Sequence, residues 1–221
     1  MVDGHCHILP GVDDGVKNIE ESLRILNEYE ALGIKEIWLT PHIMEDIPNT
    51  ASKLSLVFDE LVRSYKGNIK LHLAAENMMD AMLSKNISDR NLLAIGDEGN
   101  KLLVETSYYD RPANFYDTLE EIMSLGLTPV LAHPERYNYM VEKDYSTLKR
   151  LGVFFQLNLL SLIGYYGRTA KKKAELLLGK RMYDFTGSDL HSGRQISLLS
   201  RVSVPKKHRD YFLEISHNKI L

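Results

Sequence analysis

Two hydrophobic rhythms alternate along this chain. Short continuous apolar runs occur at 35–40 (KEIWLT), 69–75 (IKLHLAA), 101–104 (KLLV), 128–132 (TPVLA), 153–158 (VFFQLN) and 182–186 (MYDFT), and another opens the chain. Between them lie longer stretches with helical spacing, at 51–65, 114–125, 144–151, 166–178 and 205–216. The helix after the opening run is the best delimited. Asn18 caps it with Glu21 reaching back, Ile19, Leu23 and Leu26 share a face, and Gly33 ends it. About seven strands therefore alternate with helices, and runs that are apolar throughout suit strands covered on both faces. The pattern predicts an α/β fold, and both a doubly wound sheet and a closed barrel satisfy it.

The ionisable residues favour the barrel. His5 and His7 end the opening run, His42 follows EIWLTP, and Glu76 follows IKLHLAA. Glu105 follows KLLV, His133 follows TPVLA, and Asp189 and His191 follow MYDFTGS. In a (β/α) barrel such strand ends converge on one face, where the chemistry sits, whereas an open sheet spreads them along an edge. His5/His7 and Asp189/His191 are each two apart, so in extended chain each pair points to one side. The stretch 4–15 (GHCHILPGVDDG) also admits a plainer reading, with His5 and His7 in a turn and Asp13 and Asp14 capping the next helix. Recurrence at the other strand ends makes it the start of a metal cluster instead.

Composition narrows the class. The 221 residues suffice for a substantial core and are expected to form one domain over 1–221, with 44% hydrophobic and 26% charged residues as in an ordinary globular protein. A formal net charge of −3 gives no reason to expect a nucleic-acid partner. Cys6 is the only cysteine, which rules out an intrachain disulfide and suits a reducing compartment. No run approaches 18 apolar residues and no signal peptide is evident, so the expectation is a cytoplasmic protein without membrane insertion.

DGHCHILPGVDDG, TPH, AAEN, VETSYYDRP, LAHPERY and GSDLH resemble, in order and spacing from about residue 3 to 194, the polymerase-and-histidinol-phosphatase (PHP) superfamily. HILPGVDDG and AHPERY are similar to its branch of bacterial manganese-dependent protein-tyrosine phosphatases of capsule and exopolysaccharide systems. The resemblance implies a distorted (β/α)7 TIM-like barrel with a metal cluster at the C-terminal strand ends, in accord with the strand count. Cys6 departs from the serine usual in relatives. Its side chain is expected to face away from the two histidines and to pack.

With Asp14 the candidates number five histidines and four carboxylates, too many for one catalytic ion with about three protein ligands and an open position. They fit three divalent ions with a bridging carboxylate, leaving a small positive excess suited to a phosphate dianion. The resemblance implies His5, His7, Glu76 and Asp189 on the first ion. Glu76 bridges to a second held by Glu105 and His133, and Asp14, His42 and His191 hold a third. Mixed imidazole and carboxylate donors suit manganese, iron or zinc alike. The sixth strand brings only Gln156 and Asn158, where some superfamily members add a ligand.

Arg136 and Arg194 each lie three residues past a proposed ligand, match arginines of the tyrosine-phosphatase relatives, and could grip phosphate oxygens bidentately. Thiolate chemistry is excluded: a C-x5-R loop needs arginine six after Cys6, where Val12 stands. The expected reaction is in-line attack on phosphorus by hydroxide bridging the ions, with the arginines stabilising the equatorial oxygens. The expected substrate is phosphotyrosine on protein, on the tyrosine-rich tail of a bacterial tyrosine kinase. A small-molecule phosphoesterase such as histidinol phosphatase, and a non-catalytic metal-stabilised module that binds the kinase, are the alternatives. His72, His208 and His217 read as structural, and Lys171, Lys172 and Lys173 as a solvated helix face. The pairs Tyr108/Tyr109, Tyr137/Tyr139 and Tyr165/Tyr166 all follow strands, near the rim of the site.

Overall fold

A computed structural model describes residues 1–217. Its strands are β1 (Val2–Cys6), β2 (Glu36–Leu39), β3 (His42–Ile43), β4 (Lys70–Leu73), β5 (Glu76–Met78), β6 (Lys101–Glu105), β7 (Thr128–Leu131), β8 (Phe154–Asn158) and β9 (Phe185–Gly187). Every pairing between these strands is parallel, in one group β1–β2–β4 and another β3–β5–β6–β7–β8–β9. The nine segments correspond to seven runs of chain, because β2 continues into β3 and β4 into β5. Pro41, which has no N–H to donate, interrupts the first of these. Backbone bonds nevertheless carry on across both gaps, from Thr40 N to Cys6 O (2.9 Å), Ala74 N to Leu39 O (2.8 Å) and Glu76 N to Pro41 O (3.1 Å). Just past β9, Asp189 N donates to His5 O (2.8 Å) and His7 N to Leu190 O (2.9 Å), which returns the curled sheet to its first strand.

The helices are α1 (Ile19–Ala31), α2 (Ala51–Ser64), α3 (Ala81–Ser88), α4 (Phe115–Ser124), α5 (Glu142–Arg150), α6 (Gly167–Gly179), α7 (Gly193–Leu199) and α8 (Arg209–His217). Asn18 caps α1 as expected, its side chain accepting from Glu21 N (2.9 Å), and Gly33 follows with φ +82°. Helices α3 and α7 have no counterpart among the predicted elements. The last strand lies later than the apolar run 182–186 predicts, because Tyr183 and Asp184 turn their polar groups to Glu135 and to Phe155 N.

Strand periodicity builds both core and site. One set of alternate residues packs together inside the sheet's curl: Trp38, Ala74, Leu103, Val130, Ala132 and Phe185. The intervening residues, among them Leu39, Leu102, Val104, Leu131 and Phe155, face the helices in two larger clusters. Continuing the same inward phase reaches Glu76, Glu105 and Gln156 two residues beyond Ala74, Leu103 and Phe154, and His42 and Asp189 four residues beyond Trp38 and Phe185. The same parity that buries an apolar plug thus delivers polar side chains to one end. No helix among the described residues is long and apolar enough to cross a membrane.

Candidate metal centre

All nine candidate ligands gather at that end, in three groups of converging donor atoms: His5, Glu76, His133 and Asp189; His42, Glu76 and Glu105; and His7, Asp14, His42 and His191. The set His5, His7, Glu76 and Asp189 also converges. His5 Nε2 lies 3.0 Å from His7 Nε2, 3.1 Å from Glu76 Oε2 and 3.5 Å from Asp189 Oδ1. His7 Nε2 lies 3.2 and 3.4 Å from the same two oxygens. Glu76 Oε1 turns the other way, to His133 Nε2 at 3.0 Å, and Glu105 Oε2 stands 3.9 Å from that nitrogen. His42 Nδ1 is within 3.3 Å of Glu76 Oε2 and 3.2 Å of Glu105 Oε1. Asp14 is 63% exposed, yet its Oδ1 comes within 3.5 Å of His42 Nε2 and 3.4 Å of His191 Nε2.

These atoms fit cations. His5 Nδ1 bonds Gln156 Oε1 at 3.0 Å and His7 Nδ1 bonds Asp13 Oδ2 at 2.9 Å, and both acceptors require the proton on Nδ1. With Nδ1 so engaged, each Nε2 faces the other beside two carboxylate oxygens in a fully buried space, so it is the nitrogen left to bind an ion. Such a set of donors is held together by positive charge, which protons supply in the metal-free protein and a cation can supply in their place. Ligands about 2.1 Å from one ion at tetrahedral or octahedral angles stand roughly 3.0–3.4 Å apart, close to the separations here. Glu76 Oε2, His42 Nδ1 and His133 Nδ1 are buried without a hydrogen-bond partner.

Electrostatics follow the same geometry. Burial pulls His7 toward its neutral form, but the hydrogen bonds it donates to Asp13, Asp189 and Glu76 prevail and raise its pKa well above the usual value. His5 is raised as well: burial opposes, and the Glu76 and Asp189 charges outweigh it. Glu76 and Asp189 are pushed up by burial and pulled further down by the surrounding histidines, so both stay ionised. Asp14 is held far below the usual carboxylate range, first by its hydrogen bond with His191.

Supporting residues fix the ligands. Gln156 Oε1 also accepts from His133 N (3.0 Å), so one amide on β8 orients two ligands. Asp13 does not cap a helix. It binds His7 and accepts from His42 N (3.0 Å), while its neighbour Asp14 points to the cluster. Asn158 Nδ2 donates to Asp189 Oδ2 (2.9 Å), the oxygen opposite the one facing His5 and His7. Two ligands occupy left-handed backbone, His133 at φ +31° and Asp189 at φ +52°, which non-glycine residues rarely adopt. Gly187 permits the close approach beneath them, since a Cβ there would sit 2.5 Å from His5 Cβ.

The cluster floors a cavity of about 530 Å³, within the usual range for small-ligand sites. Met44 and Met78 stand in one part of its wall, and Tyr108, Tyr165 and Tyr166 in another. Arg136 lines it too. Nη1 contacts Asp189 Oδ2 at 2.5 Å, and the guanidinium is stacked between Tyr108 (4.4 Å) and Tyr166 (4.0 Å). Arg194 is exposed in the first turn of α7 and does not line the cavity. Its neighbour Gln195 does, and accepts from His191 N at 2.8 Å. Of the other rim tyrosines, Tyr137 is fully buried, Tyr139 bonds Thr106, and Tyr109 is exposed away from the cavity. Cys6 packs in the core with Sγ toward Trp38 O, and burial raises its pKa well above the ordinary value. Lys173 is no free surface charge: Nζ donates to Tyr137 O (2.6 Å) and Met140 O (2.9 Å).

The family model described as "Capsular polysaccharide synthesis, CpsB/CapC" matches residues 1–205. The chain belongs to the CpsB/CapC family. Among its relatives, the tyrosine-protein phosphatase YwqE of Bacillus subtilis (strain 168) is 29% identical, with 87% of this chain and 78% of YwqE aligned. The tyrosine-protein phosphatase CpsB of Streptococcus pneumoniae is also 29% identical, over 87% of this chain and 83% of its own. Crystallographic work on those two proteins calls them unique metal-dependent tyrosine phosphatases. A structure from it matches 97% of this chain and 86% of its own with TM-score 0.80 and 24% identity, a likeness of fold. The CpsB/CapC fold is thus the TIM-like α/β barrel expected from the sequence.

Proposed function

We propose that this chain is a metal-dependent phosphatase that hydrolyses phosphotyrosine on protein in the cytoplasm. Its substrate is the tyrosine-rich tail of a bacterial tyrosine kinase controlling capsular or exopolysaccharide synthesis. The observation that carries this reading is the convergence of nine imidazole and carboxylate side chains beneath a cavity that also holds Arg136 and three tyrosines. Membership of a family whose relatives are named tyrosine-protein phosphatases supports the substrate class.

On this reading three divalent ions, manganese, iron or zinc, are held by His5, His7, Glu76 and Asp189; by Glu76, Glu105 and His133; and by Asp14, His42 and His191. When bound, such ions supply charge neutralisation and activation of water at neutral pH. The chain's own contributions are distinct. Gln156 and Asp13 hold His5 and His7 in the tautomer that offers Nε2. Arg136, pinned by Asp189 and two aromatic faces, directs donors on its metal side to the phosphoryl oxygens. Arg194 reaches the same group from the rim once substrate is seated. The cavity wall of tyrosines and methionines receives the phenyl ring. Phenol, with a pKa near 10, leaves more readily than an alkyl alcohol, so no strong general acid is required of the protein.

The test is purification with metal analysis, followed by parallel assays on phosphotyrosine peptides, phosphoserine peptides and histidinol phosphate. Hydrolysis of phosphotyrosine that chelation abolishes and manganese restores is expected. Full activity in a verified metal-free preparation would overturn the metal assignment, and preference for histidinol phosphate would replace the substrate.

A further inference from the structure

A second hollow of about 200 Å³ adjoins the main cavity, lined by Tyr108, Arg136, Asn138, Tyr166, Thr169 and Ala170. The two share Tyr108, Arg136 and Tyr166, so the stacked guanidinium forms the partition between them. Only Nη1 of that guanidinium is bonded to protein among the described residues, and its partner Asp189 lies on the metal side. The partition therefore keeps unpaired donors. Thr169 and Ala170 of this lining stand in the first turn of α6, whose positions 167–173 contain no acidic residue. Among the described residues nothing acidic lines this hollow, whereas the main cavity is rich in carboxylates.

We propose that this side chamber is a peptide subsite, which takes an acidic side chain within two positions of the phosphotyrosine while the phosphotyrosine itself occupies the main cavity. The inference rests on the phosphotyrosine reading above and adds sequence context to it. A substrate consisting of one small phosphate ester fills only the main cavity and leaves the chamber unused. A protein substrate spans the partition, and a carboxylate next to Arg136 gains a charge-assisted hydrogen bond where no lining side chain among the described residues is acidic. Space for several waters is ample for an aspartate or glutamate side chain.

The experiment compares p-nitrophenyl phosphate with phosphotyrosine peptides carrying aspartate or alanine at each position flanking the phosphotyrosine, using the metal-loaded protein. Wild type is expected to favour the best aspartate peptide over its alanine counterpart by about tenfold in kcat/KM, the size of one charge-assisted hydrogen bond, and mainly through KM. Thr169 and Asn138 are both exposed residues that line the chamber outside the metal cluster, on separate segments of the chain. Thr169→Trp and, separately, Asn138→Trp should fill the chamber and erase the aspartate preference, with p-nitrophenyl phosphate turnover and metal content unchanged. Equal kcat/KM for aspartate and alanine peptides in wild type, or a preference that survives both tryptophans, overturns the subsite while leaving phosphotyrosine hydrolysis standing. Turnover of p-nitrophenyl phosphate without any phosphotyrosine-peptide hydrolysis overturns the substrate reading and the subsite together.

Discussion

Arg136 and Arg194 hold the same place in sequence, three residues past His133 and His191, and very different places in the fold. Arg136 has a 15% exposed side chain, stacked and ion-paired inside the cavity, whereas Arg194 stands in solvent on α7. Arg136→Ala is expected to lower kcat/KM on phosphotyrosine peptides by about 30- to 1000-fold, roughly 2–4 kcal/mol. Arg136→Lys recovers part, because it restores charge without the planar fork. Arg194→Ala should cost less than Arg136→Ala, since an exposed side chain starts solvated and less ordered. Steady-state kinetics on the three variants check the order, and an equal or larger loss at Arg194 would reverse the assignment of the principal phosphate clamp. Gln156 and Asp13 act one step back. Gln156→Leu or Asp13→Ala leaves His5 or His7 free to change tautomer and should weaken metal affinity by about 10- to 100-fold, read by metal titration. Unchanged affinity in both would show that the rings are oriented by packing alone.

At the scale of elements, most of the site exists because strand parity is maintained from the apolar plug to the strand ends; His133, out of phase with Val130 and Ala132, is turned in by its left-handed backbone instead. β9 shows how little room that leaves. Phe185, Gly187 and Asp189 are successive inward positions, and Gly187 sits where a Cβ would come within 2.8 Å of Gln156 Nε2 as well as against His5. Gly187→Ala must push β1 and β9 apart and is expected to destabilise the protein by about 1–3 kcal/mol, the cost of overpacking a tight interior. Chemical denaturation measures it, and a change below about 0.5 kcal/mol would mean that the strands separate freely. Neither α3 nor α7 is legible in sequence. Each is eight residues or fewer and shows little more than two turns of periodicity, and each is held by neighbours instead. The Ser192–Gln195 capping box and Gln195's bonds to His191 and Ser192 locate α7.

The molecule as a whole sets a competition between protons and metal. His5 and His7 have raised pKa values without metal, so around neutral pH the empty cluster holds protons that an ion must displace. Metal binding should therefore release protons, and apparent affinity should fall as pH drops through and below those raised values. Calorimetric titration in buffers of different ionisation enthalpy measures the count, and zero net release near pH 7 would contradict the raised values. Stability of the metal-free protein carries the opposite sign. A raised histidine pKa contributes stabilisation that is complete below the ordinary value of 6.5 and lost as pH rises through the folded-state value. The rise in Tm on adding manganese should accordingly grow from pH 6 upward.

The sequence by itself determined which residues the strand ends deliver, because a period of two along an extended chain decides on which side each side chain leaves. It also settled that Cys6 faces away from His5 and His7, that Asn18 starts a helix, and that thiolate chemistry is excluded. Only the tertiary structure decided who meets whom. His5 and Asp189 stand at opposite ends of the chain and touch because β9 returns to β1. Asp13 and Asp14 look equivalent in a row of polar residues, and the turn after β1 sends one behind His7 and the other to His42 and His191. Gln156 looks like a missing ligand until register across β7, β8 and β9 sets it between His5 and His133. Likewise the stacking of Arg136 between Tyr108 and Tyr166 joins three loops far apart in sequence. Local spacing fixes direction, whereas distances across the curl depend on strand register and closure, which are properties of the whole sheet.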